Sequence, residues 1–215
     1  MKKCLTLLCF IISIFLIPIC VSAKNALKEL EPNVNIEGID EEKYNIEKEV
    51  NDKYIIIKAL EKDGKLSYSW KFNRKAIKNN TIHLNFEISY QSKNQNIIEK
   101  LSQENKDKMY LSFKHHGDLP SEAEISIYVG KKYKENEKLY LYYYNPKNEE
   151  IEFVENKLKV TDGYVTFHIK HCSDYFLTGA VVNNAVGNPK ILNNIITVLG
   201  IFILSLLGIM LFSKK

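Results

Sequence analysis

From Tyr54 onward the chain alternates between apolar and polar side chains with a period of two, the mark of strands that bury one face. In LSYSWKF, Leu66, Tyr68, Trp70 and Phe72 share one face, and Ser67, Ser69 and Lys71 the other. In TIHLNFEIS, Ile82, Leu84, Phe86 and Ile88 oppose His83, Asn85 and Glu87. The same rhythm predicts strands at MYLSF (Met109, Leu111, Phe113) and EISIYV (Ile125, Ile127, Val129). In KLYLYYYN, Leu139, Leu141 and Tyr143 oppose Tyr140, Tyr142 and Tyr144. Shorter strands are predicted at 151–154, 158–160, 164–169 and 175–177, and YIIIKAL opens the series at Tyr54.

Turn chemistry separates these runs. Asp63-Gly64 and Asp162-Gly163 supply the positive-φ residues of tight hairpins, and Asn145-Pro146 breaks the chain between two strands. One helix is predicted at NQNIIEKLSQEN, where Ile97, Ile98 and Leu101 share a face. Closely spaced strands without long helices imply an all-β fold: an antiparallel β-sandwich over residues 51–179. The helix is expected to cross between two strands and cap an open end of that sandwich. Residues 24–50 are charged and weakly patterned, with a short helix expected at 26–30.

The ends of the chain carry a different pattern. Residues 1–23 read MKKCLTLLCFIISIFLIPICVSA: a basic start, an apolar run and the small-residue ending Val21-Ser22-Ala23. That is the pattern of a secretory signal peptide cleaved after Ala23. Near the other end, residues 195–212 hold no charge. Eighteen residues at about 1.5 Å per residue make roughly 27 Å of helix, close to the ~30 Å hydrocarbon core. The expected transmembrane helix spans 191–213, after a linker at 180–190. Lys214 and Lys215 form a two-residue tail whose charge favours the cytoplasmic side. A single-pass protein of the cell membrane with its domain outside is the expectation.

Charge supports this partition. Lys2, Lys3, Lys214 and Lys215 are four of the 30 basic residues, and the terminal segments contain no acid. Residues 24–190 therefore carry 26 basic and 26 acidic side chains. A neutral domain lacks the positive excess that phosphate backbones require, which argues against nucleic acid as a partner. Cys4, Cys9 and Cys20 lie in the signal segment, so Cys172 stands alone in the mature chain without an intramolecular disulfide.

Three groups of residues invite a chemical reading. His171-Cys172 would pair a nucleophile with a base, but neighbours on a strand point to opposite faces, and such a pair needs hydrogen-bond contact. A structural strand end suits them better. His115, His116 and Asp118 lie in KHHGDLP, a segment of turn composition between two strands. Two imidazoles and a carboxylate could ligate a metal in a small envelope hydrolase, although zinc sites usually recruit further ligands and no spacing signature supplies one. Tyr140, Tyr142 and Tyr144 form a row that could stack on sugar rings or grip a protein. Alternatively, cross-strand pairing or the N-terminal segment covers them. Phosphate loops, nucleophile elbows, HExxH and calcium loops are absent from the sequence. No catalytic, cofactor or metal residue is therefore assigned.

The segments YLSFKHHGDLPSEAEISIYVG, LYLYYYNPKNEEIEFVENKLKV and DGYVTFHIKHCSDYFLTG, taken in order, resemble a β-module of cell-surface proteins from clostridia and related Firmicutes. The resemblance covers about residues 54–179. It implies a non-catalytic exported module, often placed just before a wall anchor. The expected partner is another envelope protein or a wall polymer. Such proteins often end in a sortase signal resembling NPKTG or LPKTG. Here the matching stretch is Asn188-Pro189-Lys190-Ile191-Leu192, with Ile191 where the threonine would be attacked and Leu192 where the glycine would be. The departure implies that the helix stays attached.

Overall fold

A computed structural model of the chain describes residues 33–77, 81–102, 107–187, 197 and 199–205. The elements run β1 (Asn33–Glu37), β2 (Asn45–Val50), β3 (Tyr54–Leu60), β4 (Leu66–Asn73), a 3-10 turn (Arg74–Ala76), β5 (Thr81–Asn85) and β6 (Ile88–Ser89). They continue with α1 (Gln95–Leu101), β7 (Lys108–Tyr128), β8 (Lys138–Asn145), β9 (Glu150–Lys159) and β10 (Tyr164–Thr178). The protein is mostly β, and its main sheet is antiparallel. Eight strands form that sheet in the order β2-β3-β4-β7-β10-β8-β9, with β6 also on β7; β1 and β5 pair separately and in parallel.

The sheet becomes sandwich-like because its two longest strands bend together. β4 pairs with residues 123–127 of β7, whereas β6 pairs with residues 112–113. β10 meets β8 only over its last four residues, 175–178. Between the register pairs Ile169↔Ala123 and Asp174↔Ser112, β10 advances five residues and β7 eleven. The surplus forms two irregular stretches on β7, one holding Pro120 and the other His115 and His116. Bulges of this kind turn a strand through a corner. At that corner Gly117 has φ +102°, a conformation that L side chains rarely adopt.

Folding the sheet over brings its two arms face to face. The inner core joins Ile55, Ile57, Trp70 and Phe167 of one arm to Leu111, Phe113, Leu141 and Leu177 of the other. Trp70 is at the centre, fully buried. Its ring meets Phe86 and Phe113 edge-on at 5.4 and 5.3 Å, and its indole N–H donates to the Phe86 carbonyl at 3.1 Å.

The structure departs from the sequence reading in several places, among them TIHLNFEIS, which divides into β5 and β6 on different sheets. Six predicted strands fuse into three: 109–113 with 125–129, 151–154 with 158–160, and 164–169 with 175–177. The polar interruptions at 114–118 and 170–174 oppose each other across the β7–β10 ladder, with His171↔Asp118 and Cys172↔Gly117 in register, so they bend the ladder without ending it. Residues 33–37 and 45–50, within the weakly patterned segment, are strands, so the folded unit starts before residue 51. The expected helix at 26–30 lies outside the described residues. Finally, α1 covers a face of the sheet rather than an open end: Ile98 packs with Tyr110, Tyr142 and Phe176 on the outer side of the second arm.

The segment after β10 joins that outer layer. Val182 and Ala185 are buried there, and Val186 adds a one-residue parallel bridge to β9. The Val186 N–H donates to the Ile151 carbonyl and the Phe153 N–H to the Val186 carbonyl, each at 2.8 Å. The expected linker is thus docked on the domain as far as Val186.

Candidate functional site

The tyrosine row is under cover. Tyr142 is fully buried and Tyr144 nearly so, while Tyr140 is half-buried. Tyr142 stacks on Phe176 with ring centres 5.3 Å apart, and its hydroxyl accepts the Val182 N–H at 3.0 Å. Among the described residues the cover is α1 and residues 182–185. The alternation that separates Leu139 and Leu141 from these tyrosines holds, but both faces of β8 are buried. Burial closes Tyr142 and Tyr144 to stacking by a ligand and leaves only Tyr140 partly open.

His171 and Cys172 sit at the corner with separate duties. Cys172 is buried in the inner core, and burial pushes its thiol up to about 12, away from the thiolate that a nucleophile requires. Its thiol makes no hydrogen bond among the described residues. The His171 ring meets Tyr143 edge-on at 4.6 Å, and the Tyr175 hydroxyl lies 3.1 Å from its Nδ1 while donating to the His171 carbonyl at 2.8 Å.

His115, His116 and Asp118 lie inside β7 rather than in a turn between strands, and His116 and Asp118 are exposed. Among the described residues, no group of three or more His, Cys, Asp and Glu side chains is arranged to hold a metal ion.

Two hollows remain. The first, about 520 Å³, runs along the free side of β10, between His168, His171 and Tyr175 and the β9 residues Val154 and Glu155. His168 lies 3.8 Å from both Glu124 and Glu155, and Lys71 pairs with Glu124 at 3.2 Å. The Glu155 carboxylate also accepts the His168 backbone N–H at 3.1 Å. Charge at an otherwise open strand edge discourages pairing with other strands. This hollow reads as a protected edge.

The second hollow, about 620 Å³, opens where the β3–β4 and β9–β10 turns meet the loop between β7 and β8. Its floor is Tyr128, with the Lys65 ammonium 3.4 Å from the ring centre. Hydrogen bonding with the Tyr128 side chain raises the Lys65 pKa above its ordinary value. Lys131, Lys132 and Lys134 line the rim. The sequence reading passed over this group, although VGKKYKENEK between β7 and β8 and the two Asp-Gly turns were its visible signals.

No protein-family model matches the chain, and no curated protein or solved structure matches it.

Proposed function

We propose that the chain is a membrane-anchored module displayed outside the cell, with a binding or structural role in the envelope rather than a catalytic one. The observation that carries this reading lies at 199–205. These residues are helical, and Leu199, Ile201, Phe202, Ile203 and Leu204 are each more than half exposed, at 54–69%. The domain, by contrast, buries almost all of its large apolar side chains. A helix apolar on every side and uncovered by protein needs another apolar medium. Among the described residues no helix is long and apolar enough to cross a membrane. The proposed span of 191–213 extends beyond the described residues on both sides of 199–205.

The remaining support comes from sequence: the signal-peptide pattern of residues 1–23, Lys214-Lys215 after the apolar run, and the resemblance to clostridial surface modules. Docking of residues 182–186 shortens the tether. From Gly187 to Ile191 an extended chain covers at most about 14 Å, so the domain would sit against the bilayer.

Cell fractionation tests this. Membranes should keep the chain through alkaline and high-salt washes, and detergent should release it at the mass of residues 24–215. Wall material solubilised by muramidase should contain none. A pool joined to wall fragments would overturn retention of the helix, and a soluble full-length pool would overturn anchoring altogether.

A further inference from the structure

The lysine-rimmed hollow has a composition unlike the rest of a domain with balanced charge. Four lysines (Lys65, Lys131, Lys132 and Lys134) face two acids, Glu135 and Asp162. Two of the four are held in place. Lys65 sits over Tyr128, and Lys132 lies 3.6 Å from Asp107. Lys131 and Lys134 are exposed and make no ion pair among the described residues. The backbone beneath them is fixed: the Lys132 and Tyr133 N–H groups both donate to the Val129 carbonyl, and the Lys134 N–H donates to Glu137 Oε2 at 2.9 Å. Tyr133 is buried, and its hydroxyl donates to the Leu177 carbonyl at 3.0 Å, tying the loop to the end of β10. The hollow is therefore a rigid cup with two free cations.

Its floor also has a reason for its shape. A Cβ at Gly130 would come within 2.8 Å of Tyr128, and one at Gly163 within 2.7 Å. The Tyr128 ring packs directly on these two glycines, and any side chain there would displace it and the Lys65 ammonium above it. Cations at the rim suit a ligand that carries oxyanions.

Position narrows the source of that ligand. β8 starts at Lys138, next to the cup, and Tyr143 pairs with Glu152, beside which Val186 is bridged. Five residues of strand separate the two places, roughly 17 Å. The cup lies away from the point where the chain leaves the domain. If the membrane begins beyond Gly187, as proposed above, lipid headgroups are on the far side.

We infer that the cup formed by Lys65, Tyr128, Lys131 and Lys134 binds the oxyanion-bearing units, phosphodiester or carboxylate, of an extended envelope polymer. This rests on the exported, anchored reading for the source of the polymer but not for the site itself.

The full chain, held in a neutral detergent, provides the test. Poly(glycerol phosphate) and polyglutamate of equal charge are the two probes, and whichever binds more tightly names the oxyanion. Affinity should fall as salt rises, because lysine contacts release counterions. The double substitution Lys131→Gln with Lys134→Gln should weaken binding about tenfold, since both contacts to the polymer are lost. Lys93→Gln with Lys147→Gln, away from the cup, should leave it unchanged. Failure of both polymers to bind at low salt, or equal weakening by both double variants, overturns the inference. So does preference for phosphatidylglycerol vesicles or for a single-stranded oligonucleotide of the same charge. A chain that stays in the membrane yet ignores both polymers defeats this site alone. A soluble chain that binds through Lys131 and Lys134 defeats the anchoring alone.

Discussion

The molecule has two apolar layers built on opposite principles. The inner core lies between the arms of one folded sheet and draws on alternating positions of nearly every strand. The outer layer is smaller, rich in tyrosine, and covered by the seven-residue α1 and by residues 182–186, which form no strand longer than one bridge. The inner core is closed by regular hydrogen-bonded ladders. The outer layer is closed by individual contacts, such as Tyr142 to Val182 and Asp174 to the loop before α1. The first should set global stability, and the second should open locally at lower free energy.

The largest expected effect tests the inner core. Trp70→Ala removes the central indole, two edge-on ring contacts and a hydrogen bond to Phe86. It should cost about 3–5 kcal/mol, which a small domain barely tolerates. Urea unfolding followed by circular dichroism measures it; a loss below about 1.5 kcal/mol would mean that the two arms do not depend on this contact.

Alkali should act next, again through the inner core. Burial holds Cys172 and the phenols of Tyr68, Tyr133 and Tyr175 above their ordinary values. Each group binds its proton more tightly folded than unfolded, where a thiol titrates near about 8.5 and a phenol near about 10. Stability from these groups is therefore complete below about pH 8.5 and is lost as pH rises toward the folded values. Above its own unfolded value each group removes roughly 1.4 kcal/mol per pH unit, so Cys172 acts first and the three phenols join it above about pH 10. The urea midpoint should fall steeply between about pH 9 and 11, and a flat profile there would mean that these groups are not buried in solution.

The inner core was legible in the sequence because it is made of period-two faces. Tyr68, Trp70 and Phe72, Leu139 and Leu141, and Ile125 and Ile127 all lie where alternation places them. The corner was less so. His115, His116 and Asp118 have turn composition, and only the matching interruption at 170–174 lets β7 bend without ending. That match is a pairing between residues more than 50 apart, which local pattern does not encode. The outer layer was the hardest to read. An alternating strand with apolar side chains on both faces signals burial on both, but its cover comes from 182–186, where no periodicity marks the chain. The lysine cup likewise joins three separate turns that only the folded sheet brings together.

A medium effect should separate the two layers. Asp174 Oδ2 accepts from Ser92 Oγ at 2.8 Å and from Asn94 Nδ2 at 2.7 Å, fastening the loop that leads into α1. Asp174→Ala leaves both donors unmatched and should cost about 1–3 kcal/mol. Hydrogen exchange should rise in α1 and at 182–186 before it rises in β3 and β4. Equal acceleration everywhere would show one cooperative unit and remove the distinction between the layers. Tyr142→Phe, which deletes only the acceptor of the Val182 N–H, should repeat that pattern at about 0.5–1.5 kcal/mol.

The smallest effect belongs at the exposed side of the corner. His116 is exposed within a bulge of β7 and has no hydrogen-bond or ion-pair partner among the described residues. His116→Ala should change stability by less than about 0.5 kcal/mol, as surface substitutions usually do. The bend comes from the unequal lengths of β7 and β10 and from the backbone of Gly117, so removing an exposed imidazole should not straighten it. Metal analysis of the purified chain sharpens the point. Stoichiometric zinc that disappears with His116 would make the corner a ligand site and return the hydrolase reading. Unchanged metal content and stability would leave it as a hinge of backbone geometry, with His116 on the surface.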